Sequence, residues 1–421
     1  MSPSPDVCVV GLGYVGLPLA VALAEAGSVV VGYDASPARV AALSAGESGI
    51  EDISNDSLAA ALAAGFTVSA DIEAAREAKV YVICVPTPLR EHEPDLAYVE
   101  GASSAIATVL APGDLVILES TTYPGTTDEV VAPLLMSGSG LAVDEEFLLA
   151  YSPERIDPTN NRWTLRNTPK VVGGCSPAAT AAACDFYRKI CDEVVPVRGT
   201  REAEMAKLLE NTFRHVNIAL VNEMAVFCHQ LGIDLWEVIR AAGTKPFGFM
   251  PFYPGPGVGG HCIPVDPSYL SWRLRTRGHS FRFVELAQEV NRAMPAYVVS
   301  RLGDLLNDQG VALSKATVLC LGAAYKPGVS DVRESPAIEV MERLRAKGAR
   351  VVYADPRVPS VSFGGETLES AELTPEVLAS ADVAVLLTAH PEFDVLAVAR
   401  EVPALLDTRG LDAEADNIHR L

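Results

Sequence analysis

The chain has 421 residues, 49% hydrophobic and 21% charged, enough for two or three domains with cores of their own and too apolar for a disordered chain. Its 54 acidic against 33 basic residues give a formal net charge of −21, a sign that repels nucleic-acid backbones and anionic lipid surfaces. No run approaches the ~20 apolar residues of a membrane span, and the apolar run that follows Met1 lacks a basic leader, so neither a span nor a signal peptide is expected. The 8 cysteines include no Cys-x-x-Cys pair and no zinc spacing. They read as free thiols of a reducing, cytoplasmic compartment, and no metal is expected.

The first half alternates β-branched runs with Ala-rich amphipathic stretches. Strands are predicted at Val7–Gly11, Val29–Tyr33, Val80–Val85, Leu115–Glu119, Phe147–Tyr151 and Lys170–Gly173. Strands separated by helices form βαβ units and a mostly parallel sheet. From Glu202 to Leu231 the apolar positions Ala203, Ala206, Leu209, Leu220, Met224 and Phe227 recur at helical spacing with no breaker. That predicts a single helix of roughly 45 Å, longer than one small domain and suited to join two. Thr244–Pro267 is dense in Gly and Pro and is predicted to be irregular. The α/β pattern restarts at Lys315, with strands Thr317–Leu321, Arg350–Ala354, Val383–Thr388 and Leu405–Thr408 and a helix at Ser335–Lys347. The fold class expected is α/β, two Rossmann-like doubly wound domains joined by a long central helix.

Gly11-Leu12-Gly13-Tyr14-Val15-Gly16 lies between a predicted strand and a predicted helix at Pro18–Ala26. In such a βαβ unit the first glycine permits the tight turn, the second lets backbone amides approach a pyrophosphate, and the third allows close helix–strand packing. The helix N-terminus adds partial positive charge for the phosphates. Asp34 ends the next strand, where a carboxylate binds ribose hydroxyls and repels a 2′-phosphate, so NAD is expected rather than NADP. Arg39 is placed to reach a phosphate. The second βαβ unit lacks the glycine fingerprint: Gly322 to Asp355 is 33 residues, Gly11 to Asp34 only 23. The added segment, Tyr325 to Ser335, offers Lys326 and Arg333 to a different anionic ligand.

Three further groups carry candidate chemistry. Lys207 and Asn211 sit four apart, on one face of the long helix. Ser152-Pro153-Glu154-Arg155 follows a strand at a sheet's carboxyl edge. In Gly255-Pro-Gly-Val-Gly-Gly-His261-Cys262-Ile-Pro-Val-Asp266, glycines expose backbone amides and leave Cys262 unshielded beside His261, the setting of a nucleophile.

With Ser120–Thr127 (STTYPGTT), Tyr325–Ser335 (YKPGVSDVRES) and Asp407–Gly410 (DTRG), these motifs occur in the order in which the chain resembles the UDP-glucose/GDP-mannose dehydrogenase family over nearly its whole length. The resemblance implies an NAD-binding domain at 1–200, a central helical dimerisation region with the cysteine loop at 201–300, and a UDP-sugar-binding domain at 301–421. It implies a homodimer and a four-electron oxidation of a sugar's C6 alcohol to a carboxylate with two NAD in turn. Cys262 would add to the intermediate aldehyde, since addition restores an oxygen from which a second hydride can be expelled. By the same resemblance, Lys207 and Asn211 would hold the oxyanion, Asp266 would take the alcohol proton through water, Glu154 would activate the hydrolytic water and Thr121 would orient it. Tyr14, Val15, Pro86, Thr87, Thr121 and Lys326 would join Gly11, Gly13, Gly16, Asp34 and Arg39 around NAD. Arg155, Phe249, Tyr253, Gly257, Gly259, Lys326 and Arg409 would join Glu154, Lys207 and Asn211 around the substrate.

The form Ser-Pro-Glu-Arg-Ile-Asp157 is similar to the branch acting on UDP-N-acetylhexosamines, UDP-N-acetylglucosamine above all, although Thr159 departs from the glycine of that pattern. UDP-glucose, UDP-N-acetylmannosamine and UDP-N-acetylgalactosamine stay open as substrates. So do a hydroxyacid-type dehydrogenase that stops after one hydride and, in another class, a non-catalytic sensor of NAD or nucleotide sugar.

Overall fold

The computed structural model describes residues 4–90, 93–157, 160, 162–260, 263, 265–412 and 415–421. Two compact units emerge. The first runs to Glu210 and includes Ser268–Gly278; the second comprises Asn211–Pro267 and His279–Leu421. The segment expected as a central region is thus divided between them.

The first unit is built on an eight-stranded sheet. Its spatial order is Val194–Pro196, Lys170–Gly174, Leu148–Tyr151, Leu115–Leu118, Val80–Ile83, Val7–Val10, Val30–Tyr33 and Thr67–Ser69. Neighbours run parallel, except that Lys170–Gly174 is antiparallel to Leu148–Tyr151. The chain starts in the middle, winds to one edge, then returns to pair Val80–Ile83 on the other side of Val7–Val10. That reversal opens the crevice in which doubly wound sheets bind ligands, at the carboxyl ends of those two strands. Both faces of the sheet are covered. Val7, Val9, Val82 and Ile117 join one apolar core, while Cys8, Val10, Tyr81, Ile83 and Val116 join the other. Burial on both faces explains why the strands read as unbroken apolar runs.

The second unit has a five-stranded parallel sheet in the order Arg350–Ala354, Thr317–Leu321, Val383–Leu386, Leu405–Asp407 and Ile418–Arg420. Alternation again fills two cores, Val318, Cys320 and Val385 against Leu319, Leu321 and Leu386.

Predicted and observed strands agree to within one or two residues. The short edge strands Thr67–Ser69, Val194–Pro196 and Ile418–Arg420 were not anticipated; each is three residues long and too polar or Pro-interrupted to carry a pattern. The long helix is Thr200–Leu231, 32 residues. A second long helix, Arg282–Asp308, was also unanticipated; it carries Pro295 in its interior and buries Val284, Ala287, Met294, Val298 and Leu302 along one face. Among the described residues no helix is long and apolar enough to cross a membrane.

Candidate functional site

The glycine turn sits at the first unit's switch point, and each glycine there has a separate cause. Gly11 has φ +91°, and a Cβ on it would lie 2.8 Å from the Cys84 carbonyl oxygen. A Cβ on Gly16 would fall 1.8 Å from the Gly11 carbonyl oxygen. At Gly13 a Cβ would meet no protein atom within 4 Å, so the fold itself does not require that glycine. Its open face fits a ligand's approach. The helix that follows, Gly16–Glu25, begins after Val15 without a side-chain cap; Leu17 N donates to Gly13 O at 3.1 Å and Pro18 brings no N–H. Tyr14 is exposed at the turn, and its hydroxyl lies 3.3 Å from Glu51 Oε2.

Asp34 Oδ2 accepts from Leu12 N at 3.0 Å and Oδ1 from Ser36 N at 2.9 Å, which sets the carboxylate against the turn. Arg39 differs from its expected role. Its Nε and Nη2 donate to Leu12 O at 3.0 and 2.8 Å and its Nη1 to Ser48 O at 2.6 Å, so the guanidinium braces the turn's backbone. Pro86 is exposed beyond strand Val80–Ile83, and Thr87 is buried with its carbonyl accepting the Tyr269 hydroxyl. Thr121 is half-buried, next to Ser120, whose Oγ donates to Val85 O at 2.8 Å.

Glu154 follows strand Leu148–Tyr151 and is bound on both oxygens. Oε1 accepts from Arg155 N and Ile156 N, each at 2.6 Å, and Oε2 lies 3.2 Å from Lys170 Nζ. Arg155 is turned elsewhere, to Pro169 O and to Glu210, 2.7 Å from Nη2 to Oε1. Burial raises the Glu154 pKa, but Lys170, the Ile156 amide and Lys207 outweigh it, and the carboxyl rests below its ordinary value. Lys207 is buried on the long helix.

In the second unit the glycine-rich loop lies flush against the segment that replaces the dinucleotide turn. A Cβ on Gly257 would stand 2.9 Å from Pro336 Cβ, on Gly259 2.6 Å from Glu334 O, and on Gly260 2.8 Å from the Tyr325 ring. These glycines therefore answer to close packing against Pro336, Glu334 and Tyr325, a cause that the reading of exposed phosphate-binding amides did not include. Gly255 N donates to Asn222 Oδ1 at 2.9 Å, and Asn222 Nδ2 donates to Asn291 Oδ1 at 2.9 Å. Tyr253 stacks on Trp236 with ring centroids 5.6 Å apart, and Phe249 is exposed. Asn211 Nδ2 donates to Asp266 Oδ2 at 2.5 Å, both side chains buried, with Asp266 the first residue of helix Asp266–Arg275. Arg409 donates from Nε to Leu387 O at 2.6 Å, and burial lowers its pKa to about 10. Lys326 Nζ lies 5.9 Å from the Tyr325 ring centroid, and Arg333 is paired with Asp331 in its own loop. Cys262, His261 and Thr159 lie outside the described residues.

The NAD binding domain of the UDP-glucose/GDP-mannose dehydrogenase family matches residues 5–191, its central domain 201–293 and its UDP binding domain 319–412. The chain belongs to the UDP-glucose/GDP-mannose dehydrogenase family. It is an NAD-dependent nucleotide-sugar dehydrogenase with two Rossmann-like units. Its relatives include the UDP-N-acetyl-D-mannosamine dehydrogenase of Pyrococcus horikoshii, 38% identical over 92% of this chain and 90% of that one. The UDP-N-acetyl-D-glucosamine 6-dehydrogenase of Pseudomonas aeruginosa is 37% identical over 92% and 91%. The solved structure of the Pyrococcus horikoshii UDP-D-ManNAc dehydrogenase superposes with TM-score 0.88 at 34% identity, covering 98% of both chains.

Sequence reading missed three charged groups in this dehydrogenase. Lys170 bridges Glu119 and Glu154, and Glu204 accepts from Gly125 N and Thr127 N on the 120–127 motif. The signal was a charged residue at the end of an apolar strand, or on the inner face of a helix, where burial forces a partner.

Proposed function

We propose that this chain oxidises the C6 hydroxyl of a UDP-N-acetylhexosamine to the carboxylate, with UDP-N-acetylglucosamine preferred. The observation that carries the sugar class is the Ser152-Pro-Glu154-Arg155 form of the carboxyl-edge motif. The two N-acetylhexosamine relatives support the class. They differ from each other at C2 of the sugar, which makes UDP-N-acetylmannosamine the second reading.

Bound NAD, held at Gly11–Gly16 and Asp34, supplies the hydride acceptor for each of two oxidations. Asp266 takes the C6 hydroxyl proton through a water. Lys207 stabilises the alkoxide by charge, and Asn211 does so with the second N–H of the amide whose first is committed to Asp266. The Cys262 thiolate adds to the aldehyde carbon to give a thiohemiacetal, and loss of the second hydride leaves a thioester. Glu154 takes a proton from water, with Thr121 orienting that water, and hydrolysis releases the uronate and the thiolate. Phe249, Tyr253, Lys326 and Arg409 are assigned to the substrate. The exposed apolar stripe Leu209, Phe213, Leu220, Met224, Phe227 and Leu231 along the long helix is assigned to a homodimer.

The test is NADH release across UDP-N-acetylglucosamine, UDP-N-acetylmannosamine, UDP-N-acetylgalactosamine and UDP-glucose. Two NADH per sugar and the highest kcat/KM with UDP-N-acetylglucosamine are expected. One NADH per sugar would remove the thioester route, and a preference for UDP-glucose would remove the acetamido assignment.

A further inference from the structure

The single antiparallel pairing of the first sheet creates a buried ionic chain. Tyr151 pairs with Gly173 and Ala150 with Gly174, so the strand Lys170–Gly174 starts at the carboxyl edge and runs back from it, which brings its first residue level with Glu154. Lys170 is 3% exposed. Its Nζ lies 3.0 Å from Glu119 Oε1 and 3.2 Å from Glu154 Oε2. The Tyr187 hydroxyl donates to the same Glu119 oxygen, and the Lys170 Nζ lies 5.0 Å from the Tyr187 ring centroid. Cys84 Sγ stands 3.8 Å from Glu119 Oε2.

Such a buried cluster is a poor investment for stability alone, because desolvating three charges offsets most of their attraction, and an apolar replacement of equal volume does as well or better. Its geometry has a direction: Tyr187, Cys84 and Lys170 all meet Glu119, and Lys170 alone reaches on to Glu154, the carboxylate assigned to the hydrolytic water.

We propose that Lys170 is a positioning residue for Glu154, its ammonium anchored by Glu119 and Tyr187 so that the Glu154 carboxylate is held as an anion in one orientation. This rests on the assignment of Glu154 to thioester hydrolysis. The groups facing the pair are Glu119, Tyr187, Cys84, Cys191 and Lys207. Burial works against the Lys170 charge, and Glu119 and Glu154 outweigh it, so the ammonium persists. Burial also pushes Glu119 up, with Lys170 opposing, so Glu119 rather than Glu154 takes the first proton as pH falls. Removing the lysine leaves Glu154 with burial that raises its pKa and less that lowers it.

The experiment uses the full-length enzyme with UDP-sugar and NAD, and compares Lys170→Met, Lys170→Arg, Lys170→Met with Glu119→Gln, and Glu154→Gln. Steady-state kcat and KM are taken from pH 5 to 9 beside thermal unfolding. Lys170→Met should lose about tenfold or more in kcat at pH 6 with KM nearly unchanged, its acid limb displaced upward by about one pH unit or more. Lys170→Arg should restore the limb. The double variant, which buries no lone carboxylate at Glu119, should recover Tm and keep the displaced limb. A wild-type pH profile in folded Lys170→Met, or a limb that returns with Tm in the double variant, would overturn the role of Lys170 while Glu154→Gln stays crippled. Wild-type turnover by Glu154→Gln would instead remove the Glu154 assignment itself.

Discussion

Gly13 and Gly16 lie three residues apart and answer to different forces. At Gly16 the added Cβ would penetrate the Gly11 carbonyl, so Gly16→Ala should destabilise the protein by about 1–3 kcal/mol, seen as a lower Tm without ligand. At Gly13 the space is open, so Gly13→Ala should leave Tm nearly unchanged and still raise the KM for NAD. Equal loss of Tm in both variants would show that the Gly13 face is not kept for a ligand. Cys262→Ser should abolish uronate release, since an oxygen adduct gives no readily hydrolysed thioester; uronate formed at wild-type rate would refute the nucleophile. Lys207→Ala should lower kcat more than it changes KM, because its charge matters most when the oxyanion forms. A defect confined to KM would make Lys207 a binding residue.

Glu204 joins two elements. It projects from the long helix, and its carboxylate accepts from Gly125 N at 2.6 Å, from Thr127 N at 2.9 Å and from Thr127 Oγ1 at 2.7 Å. These bonds seat the Ser120–Thr127 segment on the helix that carries Lys207. Burial nevertheless pushes its pKa up to about 7. The folded chain therefore binds this proton more tightly than the unfolded one. The stabilisation is fully present below the unfolded value near 4.5 and is lost as pH rises through about 7. Across that window wild type should lose up to about 3 kcal/mol that Glu204→Gln does not, measurable as a pH-dependent gap between their denaturation midpoints. Parallel curves would show that Glu204 does not titrate there. The long helix itself was legible because thirty residues run without a breaker. The Arg282–Asp308 helix was not, because Pro295 interrupts it, and its buried face becomes recognisable only against the neighbouring α/β core.

The proposed homodimer rests on the long helix. Leu209, Phe213, Leu220, Met224, Phe227 and Leu231 recur at three-, four- and seven-residue spacing and stay exposed, Leu209 at 61% and Leu231 at 71%. A stripe of that length is too apolar to leave to water. Phe213→Glu with Phe227→Glu should convert a dimer to a monomer in size-exclusion chromatography with light scattering, and a monomeric wild type would refute the assignment. The turn at Gly11–Gly16, the acid at Asp34, the strands and the long helix were determined by the sequence alone, because turn chemistry and hydrophobic period are local properties of a chain. Tertiary structure decided what lies between those motifs. Only pairing of distant strands puts Lys170 between Glu119 and Glu154, turns Arg39 onto a backbone carbonyl, and presses Gly257, Gly259 and Gly260 against residues 325–336. A buried charge takes whatever partner the fold brings within 3 Å, and separation along the chain says nothing about which one that is.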